Sequence, residues 1–150
     1  SVGPAQNLRT RKHCLAGCPP LRLRSPDPEA DGTLAPLMPT PSTSTVRLLL
    51  SACPDLPTAD AIATTLVEER LAACVSRLPG MLSTYRWQGS VERAEEVLLL
   101  IKTTAGRQDA LIARLQALHP YELPEAIAVE IRGGLAPYLD WVAEQTREDD

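Results

Sequence analysis

The sequence predicts an α+β domain with a ferredoxin-like fold, in which two split β-α-β units share one antiparallel sheet. From residue 46 onwards, hydrophobic patterning gives the element order β-α-β-β-α-β-α, and the first six elements follow the split β-α-β arrangement. The second and third strands are each about 14 residues long, whereas a typical strand has about 5–6. The predicted sheet therefore carries a long hairpin.

A change of composition near residue 45 separates an extension from this domain. Eight of the 14 prolines precede Val46, whereas all five aromatic residues lie in the second half of the chain. The Pro-, Ser- and Arg-rich segment 1–45 has no hydrophobic periodicity, so we expect it to be disordered, because it buries too little apolar surface to offset chain entropy. The domain then spans residues 46–147, and 148–150 form a short acidic end.

Charge and cysteine usage restrict the possible partners. The formal net charge is −4, and the extension carries five basic and three acidic side chains, which leaves about −6 for the domain. This charge argues against nucleic acid or an anionic membrane as a partner, and no apolar run approaches the ~18 residues that span a bilayer. The four cysteines show no disulfide framework, which favours a reducing cytoplasm. The Arg-rich start of the extension is either similar to a transit peptide or a solvated tail.

The first strand and the first helix follow each other directly. "VRLLLSAC" (46–53) is a short apolar run and predicts a buried strand. The next segment has prolines at its entry, Asp55 or Thr58 as a possible cap, and an apolar stripe that includes Ile62 and Leu66. These features predict a helix of about 14 residues.

The long hairpin comes next. The segment 74–87 is extended, and Pro79-Gly80 in its middle predicts a bulge, because proline cannot donate to the strand ladder. "QG" (88–89) predicts a tight turn in which the glycine takes a positive φ. The segment 90–103 returns as the third strand.

Three elements complete the domain. Residues 105–118 predict a second helix with leucines on one face, 125–134 predict a strand that ends in glycines, and 135–145 predict a third helix. Pro120 ends the second helix, because it disfavours helical geometry at His119 and cannot continue the hydrogen-bond ladder.

Two features of the strands predict self-association. The runs "LLL" (48–50) and "VLLLI" (97–101) do not alternate, so we expect both faces of the sheet to be covered. The helices are expected to cover one face and another chain the other. At ~3.3 Å per residue, the hairpin strands extend beyond the sheet and expose unpaired edges. We therefore expect a homo-oligomer whose sheets pack face to face and whose hairpins cross between subunits.

Six short motifs resemble the CutA family of divalent-cation tolerance proteins in both order and spacing, and the resemblance covers residues 46–147. The motifs are "ERLAAC" (69–74), "LPG" (78–80), "YRWQG" (85–89), "EEVLLLIKTT" (95–104), "HPYELPE" (119–125) and "YLDW" (138–141). The resemblance implies a ferredoxin-like fold assembled as a tight homotrimer. It also implies a role in tolerance of copper and other divalent metals, copper binding in some members, and no established catalytic activity.

Two other classes of function follow less directly from the sequence. The trimer of the family resembles that of the PII signalling proteins, so the alternative is a PII-like signalling or interaction scaffold that binds a small ligand at the subunit interfaces. A Gly-rich phosphate loop would support this alternative, and "RGG" (132–134) is a weak match. An enzyme is not expected, because the sequence has no Ser–His–Asp order and no Cys–His pair with an orienting acid.

The resemblance places metal contacts on Glu96 and His119, while Ser51 stands where some members have a cysteine. Cys53 lies two residues further on the same face of a regular strand, and it is the candidate thiolate ligand because Cu(I) prefers soft donors. The alternative for His119 is contact with the terminal carbonyls of the preceding helix. The alternative for Glu96 is an ion pair with Lys102 or with an arginine of a neighbouring chain.

Four further residues are candidates for a ligand or interface pocket. Lys102 is either a snorkelling lysine or the cationic wall of a small anion site. Tyr85 and Trp87 share one face of the hairpin, and each combines a large apolar area with a polar group, as interface anchors do. Tyr121 lies between two prolines and is therefore held rigidly.

Overall fold

The computed structural model describes residues 45–148, so the predicted extension lies almost wholly outside the described residues, as do the last two residues of the acidic end. Seven elements follow in the predicted order: β1 (Val46–Cys53), α1 (Leu56–Glu68), β2 (Cys74–Trp87), β3 (Ser90–Thr104), α2 (Gln108–Leu118), β4 (Ile127–Glu130) and α3 (Ala136–Gln145).

The four strands form one antiparallel sheet in the order β2-β3-β1-β4. Strand β1 lies between β3 and β4, and α1 and α2 connect the strands as in a split β-α-β fold. The predicted ferredoxin-like fold is confirmed. No helix in residues 45–148 has the length and apolar character that a bilayer span requires.

The main core lies between one face of the sheet and the two helices α1 and α2. Leu49 of β1 and Leu99 and Ile101 of β3 are fully buried on this face. They pack with Leu66 of α1 and Leu115 of α2, among other residues of the same cluster. Asp55 caps α1, because its carboxylate accepts a hydrogen bond from the backbone N–H of Thr58 at 2.8 Å, as one of the two predicted caps would.

The third helix corrects one prediction about the sheet. The helices were expected to cover one face only, yet α3 packs its Val142 against Val46 and Ala73. Val46 lies on the opposite face of β1 from Leu49, because strand residues alternate. Helix α3 therefore covers one end of the second face, and the rest of that face, which includes Leu48 and Leu50, has no helix packed on it. We call this remainder the open face.

The long hairpin has both predicted irregularities. The β2–β3 register shifts between Leu78 and Met81, so that Pro79 and Gly80 together oppose a single residue of β3, which is the geometry of a bulge. Gln88 and Gly89 both have positive φ, as a two-residue hairpin turn of the primed type requires.

The hairpin extends well beyond the rest of the sheet. Strand β1 pairs with β3 only as far as Cys53 and Val97. Past that point, residues 81–96 pair only with each other, and we call this segment the arm. Its Leu82 side chain is 80% exposed.

Helix α2 and strand β4 have different bounds from those predicted. Helix α2 begins at Gln108 rather than at 105, because the backbone N–H of Arg107 bonds to the carbonyl of Thr104 and forms a turn first. Strand β4 has four residues rather than ten, since it pairs only with the segment 47–50 of β1.

Candidate functional site

Four of the predicted site residues lie together at the carboxyl end of β1. Cys53 is the last residue of β1 and pairs with Val97 of β3. Glu96 is the residue of β3 directly before Val97. His119 directly follows α2, and Tyr121 stands in the connection to β4. We call Cys53, Glu96, His119 and Tyr121 the β1-end cluster.

The imidazole of His119 uses both ring nitrogens within the protein. The backbone N–H of Tyr121 donates to Nδ1 at 3.1 Å, so Nδ1 is the unprotonated acceptor. Nε2 then carries the hydrogen and donates to the carbonyl of Ala52 at 2.8 Å. His119 is thus a buried neutral imidazole bonded to β1, and the alternative that it contacts the terminal carbonyls of α2 is wrong.

Pro120 holds His119 in this position. The backbone of His119 is extended, with ψ 136°, as expected for a residue before proline. Its own N–H still bonds to the carbonyl of Leu115 at 2.9 Å and closes the last turn of α2. The helix therefore ends where the ring must turn towards β1.

The thiol of Cys53 lies beside the imidazole and is shielded from solvent. Its Sγ is 3.7 Å from Nε2 of His119, and the side chain is fully buried. Burial raises the pKa of the Cys53 thiol to about 11, and the nearby charges of Asp55 and Glu96 act in the same direction. The thiol is therefore protonated at neutral pH.

Tyr121 links the cluster to the base of the arm. Its hydroxyl donates to Oε1 of Glu96 at 2.9 Å, and its ring lies 4.8 Å from that of His119 at an interplanar angle of 49°. Burial raises the pKa of the Tyr121 phenol, and the hydrogen bond to the Glu96 carboxylate and its charge raise it further. The partner of Glu96 within the protomer is thus a phenol rather than Lys102.

The donor types of the cluster suit a soft or borderline metal ion. A thiol and an imidazole side by side are ligands that copper and zinc accept. Across residues 45–148, however, no group of three His, Cys, Asp or Glu side chains is arranged to hold a metal ion. Cys53 and His119 therefore supply two donors. Ser51 is fully buried, and its hydroxyl has no hydrogen-bond partner in the part of the chain that the structure describes.

Lys102 lies away from this cluster, on the open face. Its ammonium group donates to Oγ of Ser76 at 2.6 Å and is 3.8 Å from Sγ of Cys74. Tyr85 and Trp87 lie near the tip of the arm and are substantially exposed. Lys102 therefore lies apart from the other three predicted pocket residues within one protomer, whereas Tyr85 is near enough to Tyr121 to help raise the pKa of that phenol.

Two of the contacts at these sites were missed by sequence reasoning. The acceptor for His119 is the backbone carbonyl of Ala52, for which no side-chain signal exists. Ser76 could have been found, because it is a polar residue in a strand position that pairs with Leu100 among apolar neighbours. Cys74 is half-buried beside the ammonium group of Lys102.

Comparison with known proteins agrees with this architecture. The family of the CutA1 divalent ion tolerance protein matches residues 47–145. The divalent-cation tolerance protein CutA of Thermus thermophilus is 50% identical over 100 residues, which are 67% of this chain and 97% of that protein. The crystal structure of CutA from Xylella fastidiosa is 57% identical with a TM-score of 0.68, and the match covers 69% of this chain and all of that chain.

A more distant structure shares the same fold. The structure described as the periplasmic divalent cation tolerance protein CutA from Archaeoglobus fulgidus is 32% identical with a TM-score of 0.66, and the match covers 68% of this chain and 99% of that chain. With the ferredoxin-like sheet, the long hairpin and the match over residues 47–145, the chain belongs to the CutA1 family of divalent ion tolerance proteins.

Proposed function

We propose that this chain is a non-enzymatic, homotrimeric protein of divalent-metal tolerance that binds copper or another divalent metal ion through Cys53 and His119, with Glu96 as a third ligand once its carboxylate moves towards this pair. The observation that carries the metal site is the 3.7 Å separation of the Cys53 thiol and the His119 imidazole. Thiolate and imidazole are donors that copper accepts. The name of the Thermus thermophilus relative, a divalent-cation tolerance protein, supports the same class of ligand.

Metal binding at this pair must displace protons. The Cys53 thiol, with a pKa of about 11, is protonated at neutral pH, and Nε2 of His119 holds the hydrogen that it donates to Ala52. A metal ion binds the deprotonated thiolate and an unprotonated ring nitrogen. Affinity is therefore expected to rise with pH.

The exposed apolar residues support self-association. In the protomer, Ile127 and Val129 of β4 are exposed on the open face, and Tyr85 and Trp87 are exposed on the arm. A solvent-exposed apolar area of this kind marks an interaction surface. A homotrimer in which each arm reaches a neighbouring chain would cover it.

Isothermal titration calorimetry of the full chain with Cu(I), Cu(II) and Zn(II) tests the metal site. Cys14 and Cys18 are first replaced by serine, so that the extension contributes no thiols. In this background, His119→Ala and Cys53→Ser are expected to abolish the binding, and Cys74→Ser is the matched control that leaves it unchanged. Equal affinity in all variants, or no affinity better than about millimolar, would reject direct metal binding at the cluster.

The second candidate is a PII-like scaffold that binds a small ligand at subunit interfaces. One observation favours it: among residues 45–148 the half-buried ammonium of Lys102 has no carboxylate within ion-pair distance. Tight calorimetric binding of a nucleotide or metabolite that is lost in Lys102→Met, with no binding of any metal, would favour the scaffold over metal handling.

A cytoplasmic location is part of the proposal. Cys53 and Cys74 are both free thiols, as is usual for a protein of a reducing compartment. Recovery of the chain in the cytosolic fraction of its source cells is the expected result, and recovery from an oxidising compartment would contradict it.

A further inference from the structure

Lys102 is a cation set into an apolar surface. Its paired neighbours are Leu48 of β1 and Cys74 of β2, and Val129 of β4 continues the same row across the sheet as the partner of Leu48. Its hydrogen-bond partner Ser76 is neutral. If another chain covers the open face, this ammonium loses its water and needs a counterion, because an unpaired buried charge costs several kcal/mol.

The open face offers very few candidates for that counterion. Paired strand residues point to the same side of a sheet, and alternate residues of β3 share a side. Across the four described strands, only three charged residues therefore lie on the side of the open face: Lys102, Glu96 and Glu92. Glu96 already accepts the hydrogen bond of Tyr121 and is buried.

Glu92 is the remaining acid, and it is placed for contact with another chain. It lies on the arm directly opposite Tyr85, on the same side as Trp87, and it is exposed. Ten residues of β3 separate it from Lys102, which is about 33 Å along an extended strand. The two side chains therefore cannot pair within one protomer.

We propose that Lys102 of one copy forms an ion pair with Glu92 of a second copy, whose arm lies across the open face. The exposed aromatic residues Tyr85 and Trp87, which lie beside the acid on the adjacent strand β2, pack on the apolar surroundings of the lysine. Each protomer contributes one cation and one acid, so every copy in a closed ring makes one such pair with the next. This inference rests on the proposed self-association and names the residues that direct it.

Charge exchange tests the pair in the full chain. The variants are Lys102→Glu, Glu92→Lys and the double exchange, studied by sedimentation and light scattering at micromolar concentration. Each single change sets two like charges together and is expected to raise the dissociation constant at least about tenfold, and the double exchange is expected to return it to within about threefold. Glu95→Lys is the matched control, because Glu95 points to the other side of the arm, and it should leave association unchanged.

A second pair of variants covers the case in which Lys102→Glu does not fold. Lys102→Met leaves Glu92 of the second copy buried without a partner and is expected to weaken association, whereas Lys102→Met with Glu92→Gln regains it. Far-UV circular dichroism checks the fold of each variant.

The outcomes distinguish a failure of the ion pair from a failure of the proposed self-association. If the wild type associates and neither double variant is better than its single parent, the ion pair is wrong while self-association stands. A wild type that is monomeric at micromolar concentration overturns the proposed self-association, and the pair with it. Stabilisation of the wild type but not of Lys102→Met by inorganic phosphate, without rescue in the double variants, would identify a free anion as the occupant and overturn the proposal.

Discussion

The two halves of β3 meet opposite environments within one continuous strand. In residues 97–104, alternate side chains such as Leu99 and Ile101 are fully buried under α1 and α2. In residues 90–96, only Glu96 is buried, and Val91 is 62% exposed. The first half is stabilised by its own chain, whereas the second half pairs only with β2 and presents its apolar side chains outward. The difference teaches that this fold divides its strand between a core for the protomer and an exposed surface, which the proposed self-association would cover.

The β1-end cluster stands where the two halves meet. Glu96 is the last residue of the arm, and the hydroxyl of Tyr121 connects it to the segment that holds His119. A displacement of the arm would therefore be transmitted to the imidazole through two hydrogen bonds, from Glu96 to the Tyr121 hydroxyl and from the Tyr121 N–H to His119. The candidate metal residues and the surface of the proposed self-association are in this way physically joined.

The largest effect on stability is expected in residues 97–104, which we call the covered half of β3. Leu99→Ala removes a fully buried side chain from the core, and it should lower the free energy of unfolding by about 2–5 kcal/mol, because it loses transfer energy and leaves a cavity. Urea denaturation at fixed protein concentration measures the change. Leu123→Ala is the control, since Leu123 is 73% exposed. A comparable loss in both variants would contradict the contrast between core and surface.

In the arm, truncation should affect association and leave the protomer folded. Trp87→Ala removes an exposed aromatic anchor and is expected to weaken self-association by at least about 2 kcal/mol, roughly thirtyfold, as an interface hot spot does. Analytical ultracentrifugation measures it, with Arg86→Ala on the other side of the arm as the control. Unchanged association in Trp87→Ala would show that the arm does not contact another copy.

The buried thiol of Cys53, which lies in β1 opposite Val97 of the covered half of β3, makes stability depend on pH in the alkaline range. The pKa of Cys53 rises from its ordinary value of 9.0 to about 11 on folding, so the folded state holds the proton more tightly. This contribution to stability is complete below pH 9 and is lost as the pH rises towards 11. Equilibrium unfolding from pH 8 to 11 should show a decline that is shallower in Cys53→Ser. A decline of equal steepness in the two proteins would place its origin elsewhere, with the Tyr121 phenol as the next group to test.

The smallest effect concerns two buried hydroxyls, that of Thr103 in the covered half of β3 and that of Ser51 in β1 opposite Leu99. Within residues 45–148, Ser51 Oγ has no hydrogen-bond partner, whereas Thr103 Oγ1 donates to the carbonyl of Leu71 at 2.6 Å. Ser51→Ala removes an unsatisfied polar group and should leave stability unchanged or raise it by up to about 1 kcal/mol, whereas Thr103→Val should cost about 1–2 kcal/mol. Thermal and urea denaturation compare the two. A loss on Ser51→Ala would mean that the hydroxyl does have a partner, such as a buried water molecule.

Local chemistry explains why much of the fold was predictable. The bulge at Pro79-Gly80, the turn at 88–89 and the cap at Asp55 each follow from what one or two residues can do with their own backbone, and all three are confirmed. The fold class followed from the order of the elements. These features need no knowledge of distant contacts.

The features that were missed depend on the meeting of distant segments. Nothing in the sequence of α3 states that Val142 packs on the second face of the sheet. Cys53, Glu96 and His119, the predicted metal residues, lie in one cluster, whereas Tyr121 was grouped with Lys102, Tyr85 and Trp87 and joins this cluster instead. Metal binding by these residues stays a prediction. The sequence could not predict that the Nε2–H of His119 donates to the carbonyl of Ala52, because every residue has a backbone carbonyl.

The bulge at Pro79-Gly80 has a consequence for the direction in which the arm leaves the sheet. Because two residues of β2 oppose one of β3 there, Leu78 and Met81 stand three positions apart in the chain, yet both pair with β3 residues on the side of the open face. Removing one of the two bulge residues would leave these pairs unchanged, together with the side to which Tyr85 and Trp87 point. It would remove the bend and the added twist that a bulge gives to its strand, so a proline and a glycine set the angle at which the arm projects from the sheet.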